Sequence, residues 1–194
     1  MNGFIINNSS YTALWQYPYL ASSSRMKFCV PSWISERICT VNEFNYVFDD
    51  LDQNEELLLK DEGFRVNQDY VFNVLEIPLR DSNRFIIFLP NLNYTIGESL
   101  KEFTFSRIQS LLADLSLQIV DFEIPYFKTI STINTARLLR LPTRKYHRFS
   151  FDYTLEGVHI QSILTRPFTR QPYPFIVNRP FFYAVFDNNV PIVM

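Results

Sequence analysis

Phe72-Asn73-Val74-Leu75-Glu76-Ile77-Pro78-Leu79, then Arg80-Asp81-Ser82-Asn83, then Phe85-Ile86-Ile87-Phe88-Leu89-Pro90, is the stretch whose reading decides the fold. Two apolar runs of strand length flank four polar residues, the pattern of a β-hairpin. The second run is continuous where a half-exposed strand would alternate, so it predicts a strand buried on both faces. A strand of that kind needs covering layers on either side, and the rest of the chain must supply them.

Towards the C-terminus, Phe105, Ile108, Leu111 and Leu112 recur at helical spacing, with Thr104 placed to cap, and predict a helix over 104–113. Leu117 to Ile124 alternates as a half-buried strand, and Thr135 to Leu141 has room for one or two helical turns. Alternation resumes from Phe149 to Tyr153. Residues 158–174, with Arg166-Pro167, Arg170, Pro172 and Pro174, read as a loop, and Pro180 to Phe186 as a buried strand. The Asp187-Asn188-Asn189 turn then leads into the stub Val190 to Met194. Towards the N-terminus, residues 25–48 alternate loosely around Pro31 and predict short strands. Tyr17-Pro18-Tyr19 breaks them from a first element over Gly3 to Trp15.

Composition narrows the class. At 194 residues the chain is one domain in size, and 47% apolar with 16% aromatic residues excludes intrinsic disorder. Eighteen basic against 20 acidic residues leave a charge of −2, which excludes a strongly basic nucleic-acid binder. No apolar run approaches the ~18 residues of a membrane span. The start, Met1 to Asn7, lacks the charged head and long apolar stretch of a secretory signal. Cys29 and Cys39 alone provide neither a disulfide scaffold nor a zinc cluster.

Chemistry-bearing patterns are few. Asp50, Asp52 and Asn54 have calcium-loop spacing, but Glu55 stands where the turn needs glycine and Asp61 where a bidentate Glu should close the site. A solvated acidic turn is the reading there. Catalysis would have to use His147 or His159, and no Gly-x-Ser-x-Gly elbow or glycine-rich phosphate loop accompanies them. No enzyme, metal or cofactor is expected. Asn7-Asn8-Ser9, Asn8-Ser9-Ser10 and Asn93-Tyr94-Thr95 are formal glycosylation acceptors, relevant to an exported chain.

Six segments, taken in order, resemble one family, the serpins. Asn7 with Tyr11-Thr12-Ala13-Leu14-Trp15 is similar to the family's Asn-x-x-x-Phe-Lys-Gly-x-Trp segment on the third strand of its large sheet, and Trp15 to Tyr19 to its Trp-x-x-Pro-Phe. Val74 to Pro78 and Phe85 to Pro90 resemble the Val-Leu-Glu-Leu-Pro hairpin and the Ile-Leu-Pro strand after it. Ile124-Pro125-Tyr126-Phe127 is similar to Leu-Pro-Lys-Phe, and His147 through Gly157 to the strand running from His-Lys to the Glu-Glu-Gly hinge. Phe175 to Phe181 resembles Phe-x-Ala-Asp-His-Pro-Phe.

The resemblance implies a β-rich α+β fold: a single, truncated serpin-like domain over 1–194, with part of the large sheet A, sheets B and C, and few helices. It covers about the C-terminal half of the family's fold. The function implied is that of a serine protease inhibitor acting through an exposed reactive loop over 158–174, with the hinge at Leu155, Glu156, Gly157 and Val158. Cleavage is expected at Arg170 or Gln171, and an arginine there suits a trypsin-like pocket. Asn7, Trp15, Tyr19, Tyr126 and His147 take the sheet-opening and packing positions, with His147 bonding Asn7 across the slot. Tyr126 and Leu155 replace a Lys and a Glu that pair in the family; loss of one partner of a buried pair is costly, whereas replacing both is nearly neutral. Past Gly157, Ile160 and Gln161 stand where inserting hinges carry alanine, and each misfit costs about 1–3 kcal/mol. A non-inhibitory serpin-like binding or remnant protein is therefore the alternative. Partners are a serine protease, or further copies of the chain through exposed sheet edges, with neither nucleic acid nor membrane. The family implies the extracellular space, and the start of the chain leaves the cytoplasm open.

Overall fold

A computed structural model describes residues 14–16, 20–21, 25–32, 35–44, 46–48, 63–125, 127–134, 146–153, 173–187 and 190–193. The first strands are β1 (Leu20–Ala21), β2 (Met26–Pro31), β3 (Cys39–Phe44), β4 (Tyr46–Phe48), β5 (Arg65–Gln68), β6 (Phe72–Pro78) and β7 (Asn83–Pro90). Helices α1 (Ile96–Glu102) and α2 (Phe105–Ala113) follow. The chain then returns to strands: β8 (Ser116–Leu117), β9 (Val120–Pro125), β10 (Phe127–Asn134), β11 (Tyr146–Tyr153), β12 (Tyr173–Ile176), β13 (Phe182–Asp187) and β14 (Val190–Val193).

The expected hairpin is the centre of the molecule. β6 and β7 pair from Phe72↔Pro90 to Pro78↔Arg84, and a 3₁₀ turn over Arg80–Ser82 joins them, with Ser82 at a left-handed φ of 64°. They lie inside an antiparallel six-stranded sheet ordered β14-β13-β7-β6-β5-β8. Because side chains alternate across a strand, Leu75, Ile77, Phe85 and Ile87 face one core and Val74, Ile86 and Phe88 the other. The first core is closed by Val120, Phe122 and Ile124 of β9 and Phe175 of β12; the second by Ile108 and Leu111 of α2. Both faces are thus covered, and Phe85 to Pro90 is buried without interruption, as its composition predicts. On the second face one charged group intrudes. Glu76 is 4% exposed and held by Arg84 at 2.8 Å and Arg65 at 3.5 Å.

A second sheet, β1-β4-β9-β12, is antiparallel except for the parallel pair β9–β12. β10–β11 and β2–β3 are separate two-stranded ribbons. This is the strand-rich fold with few helices expected from the sequence.

Several details differ from the reading of the sequence. Thr104 does cap α2, its hydroxyl accepting from the Arg107 N–H, but Phe105 is 75% exposed at the first turn. Spacing sets which way a residue faces, not whether anything stands there to cover it. Helix α1 has no signature in apolar spacing, because seven residues show no usable periodicity, although Thr95 and Glu98 form a complete capping box. Tyr173 and Pro174, expected in the loop, belong to β12, where they pair with Val120 and Asp121; proline is tolerated there because β12 is an edge strand. Cys29 and Cys39, too few for a scaffold, are bonded to each other as one local cross-link. The acidic stretch 49–61 and the turn at 135–141 lie outside the described residues.

Candidate functional site

The region singled out by sequence lies between β11 and β12, and its two anchors are well defined. β9 runs from Val120 to Pro125 and continues, past residue 126, into β10. β11 lies antiparallel to β10, so Tyr153 at its end sits opposite Phe127 at the beginning of β10. β12 lies parallel to β9, so Tyr173 at its start sits opposite Val120. The connection 154–172 therefore leaves near one end of β9 and returns at the other. That separation is about 20 Å at ~3.3 Å per strand residue. Nineteen residues reach about 65 Å when extended, roughly three times what the crossing needs.

Each anchor is tied into the cores. At the departing end Phe127 packs edge-on against Phe181 (5.2 Å between ring centres) and lies 5.3 Å from Tyr183. At the returning end the Tyr173 N–H donates to the Ile119 carbonyl at 2.8 Å. Its hydroxyl donates to Asn73 Oδ1 (2.9 Å) or Gln68 Oε1 (3.1 Å), and burial pushes its pKa up. Phe175 and Val177 are buried, and the Val177 N–H donates to the Glu123 carbonyl at 2.9 Å. Next comes Arg179, whose Nε donates to the Pro90 carbonyl at 2.8 Å and whose Nη1 donates to Asn178 Oδ1 at 3.0 Å; desolvation lowers its pKa. Sequence reasoning gave Tyr173 and Arg179 no anchoring role. Arg179 falls in the 175–181 segment and Tyr173 in the loop 158–174, and neither pattern marks an anchor.

Of the sequence-predicted site residues, Trp15 and His147 fall in described elements. Trp15 is half-buried, bridges to Leu79 and meets Phe85 edge-on at 5.7 Å, so it stacks on the turn end of the central hairpin. His147 occupies β11 opposite Ile133. Asn7, Tyr19, Tyr126, Leu155, Glu156, Gly157, Val158, Arg170 and Gln171 lie outside the described residues.

A second polar cluster sits between β5 and α2. Arg107 donates to Asp69 at 2.9 Å, to Glu102 at 3.0 Å and to the Tyr70 hydroxyl, and its guanidinium lies 4.5 Å from the Tyr70 ring centre. The Tyr70 hydrogen bond is the main cause of its raised pKa. With its donors turned to neighbouring groups, Arg107 pins α2 to the turn after β5. Among the described residues no group of His, Cys, Asp or Glu could hold a metal ion, and no helix is long and apolar enough to cross a membrane.

Neither known protein-family models nor curated protein sequences match this chain. Solved structures do. The thermophilic serpin tengpin in its native state matches with a TM-score of 0.66 and 17% identity, over 92% of this chain and 51% of that one. The mouse protein-Z dependent protease inhibitor gives 0.69 at 12% identity, over 93% of this chain and 50% of its own. Thyroxine-binding globulin in complex with thyroxine gives 0.66 at 12%, over 91% and 50%. The fold is therefore serpin-like, and the chain spans about half the length of the serpins it matches.

Proposed function

We propose that the chain is a serpin-type protein directed at a trypsin-like serine protease, which it meets through the connection 154–172. The observation that carries this reading is the geometry of the anchors: two fixed strand ends, in different sheets, joined by about three times the chain length the crossing needs. Surplus length of that kind suits a loop presented to a protease cleft. Arg170 is the basic residue at the position expected for cleavage, with Gln171 after it. The protease serine Oγ attacks the Arg170 carbonyl carbon, the bond to Gln171 breaks, the new amine takes the proton, and an acyl-enzyme results. In the inhibitory outcome the released segment inserts beside β11 before water can attack the ester. Hinge residues Leu155 to Val158 then lead the new strand, and His147 bonds Asn7 across the slot. Trp15, Tyr19 and Tyr126 pack around the opening. One structural relative is by name a protease inhibitor, which supports the reading.

A second reading rests on the hinge. Ile160 and Gln161 are large for an inserting strand, which favours a non-inhibitory protein whose loop is a substrate or partner site. Another structural relative, a thyroxine-binding globulin in complex with thyroxine, binds a small ligand on the same fold, which supports a binding role as the alternative. Incubation of the full chain with trypsin, followed by denaturing electrophoresis, separates the two. Inhibition gives an SDS-resistant adduct and a large rise in melting temperature after cleavage. Cleavage after Arg170 with neither adduct nor rise establishes the second reading, and a loop resistant to trypsin overturns both.

A further inference from the structure

The ribbon β2–β3 is held differently from every other described hairpin. β2 and β3 pair from Met26↔Phe44 to Pro31↔Cys39, and the disulfide runs diagonally from Cys29 to Cys39 with the Cα atoms 5.3 Å apart. Cys29 is half-buried, whereas Cys39 and the residues after it to Glu43 are exposed. Beyond the disulfide the turn reaches a distant helix. A Glu36 carboxylate oxygen accepts the Gly97 N–H at 2.8 Å, and Arg37 Nη2 lies 2.7 Å from Glu98 Oε1. Gly97 is what permits this approach, since a Cβ there would stand 2.8 Å from the Glu36 carboxylate. Both ties are exposed at the surface, the Arg37 and Glu98 side chains being 65% and 43% accessible. Exposed pairs of this kind hold little by themselves, because water competes and two long side chains must be ordered. They persist when something else has already ordered the turn, and the disulfide does so by closing the chain between residues 29 and 39.

We propose that Cys29–Cys39 is a thiol-sensitive latch: while oxidised it keeps the 35–38 turn docked on the start of α1, and reduction by a small thiol releases the turn. Cys39, the more exposed of the two cysteines, is the point of attack. A thiolate bonds to Cys39 Sγ, the S–S bond breaks, and its electron pair leaves on Cys29 Sγ, which takes a proton. A second thiolate attacks the mixed disulfide, freeing Cys39 as a thiol. The protein gains two electrons and two protons, and two thiols become one disulfide. Coupling is reciprocal: what reduction takes from the docked turn, docking must return as resistance to reduction.

The test uses the full chain, oxidised or reduced with glutathione, read by amide hydrogen exchange and by trapping free thiols. On reduction, exchange of the Gly97 amide is expected to rise by about tenfold or more while the β6 and β7 amides keep their protection. The Cys29→Ser variant should reproduce the reduced pattern. Glu36→Ala should shift the glutathione ratio at which half the protein is reduced by at least about fivefold towards milder conditions. Unchanged Gly97 exchange on reduction, an unchanged midpoint in Glu36→Ala, or loss of protection throughout β6 and β7 each overturns the latch.

Discussion

The hairpins β6–β7 and β2–β3 have ladders of similar length, seven residue pairs against six, yet opposite faces on the world. In the first, Phe85 to Pro90 and most of β6 are buried on both sides. In the second, β2 touches the core through Met26 and Phe28, while Cys39 to Glu43 of β3 is exposed. Ladder hydrogen bonds exchange water for backbone partners and yield little net free energy, so equal ladders do not mean equal stability. Burial on two faces holds the first hairpin. An isolated two-stranded ribbon is marginal in water, and the second has a covalent cross-link where the first has a core.

The sharpest way to break this contrast is to truncate one apolar side chain in each. Phe88→Ala empties a site where Phe88 meets the rings of Phe72 and Phe103, and should cost about 3–5 kcal/mol in urea unfolding. Val41→Ser in β3 should stay within about 0.5 kcal/mol, since Val41 is 57% exposed. Comparable losses at the two positions would show that the ribbon carries global stability after all.

Charge inside the central sheet gives the next effect. Glu76 lies on the same face of β6 as Val74, with Arg84 2.8 Å away and the Arg84 guanidinium 5.4 Å from the Phe186 ring centre. Glu76→Ala removes the buried carboxylate that Arg84 and Arg65 share and should cost about 2–3 kcal/mol. Glu76→Leu should recover little of that while Arg84 remains. The double variant Glu76→Leu/Arg84→Met should recover most of it, because removing both partners is far cheaper than removing one. A double variant no better than Glu76→Ala would mean that packing volume matters more here than charge.

The same contrast explains what could be read from sequence. A strand covered on both faces writes itself as an unbroken apolar run, so β7 was legible residue by residue. Helix α2 was legible from Ile108, Leu111 and the Thr104 cap, and Phe105 misled because spacing carries no information about where the opposing sheet stops. Where polar contacts do the holding, sequence was nearly silent. Arg107 with Asp69, Glu36 with Gly97, and Tyr173 with Asn73 join residues tens of positions apart, and no local pattern marks them. The candidate site divides along the same line. Its returning anchor lies on β9, a mostly buried strand with an alternating apolar pattern, while the hinge at 155–158 and Arg170 lie outside the described residues.

A smaller effect probes the seam where β12 meets the central sheet. Tyr173→Phe keeps the ring and removes a hydroxyl that reaches Asn73 and Gln68, so it should cost about 1 kcal/mol. Because this seam anchors the returning end of the 154–172 connection, trypsin nicking after Arg170 should accelerate in the same variant. Stability lost without faster nicking would separate the anchor from the loop.

The smallest expected effect is a gain, and its sign follows from titration. Burial, with Asp121 as a lesser cause, raises the Glu123 pKa above its ordinary 4.5. A carboxyl whose folded-state pKa is raised contributes stability that is fully present below about 4.5 and is lost as pH rises through the folded value. At neutral pH Glu123 therefore works against the sheet, and Glu123→Gln should stabilise by up to about 0.5 kcal/mol, or roughly 1–2 °C in Tm. That advantage should shrink as the pH is taken down to 4. Glu98 has the opposite sign. Its hydrogen bonds to the Thr95 backbone N–H and hydroxyl, aided by Arg37, lower its pKa, so its contribution is present above about 4.5 and lost as pH falls through the folded value. Glu98→Gln should therefore be harmful near neutrality and progressively harmless in acid. Melting curves of the two variants and the parent between pH 4 and 7 should cross in opposite senses. Parallel curves for Glu123→Gln would mean that the seam between β9 and β12 admits enough water to leave the carboxylate solvated.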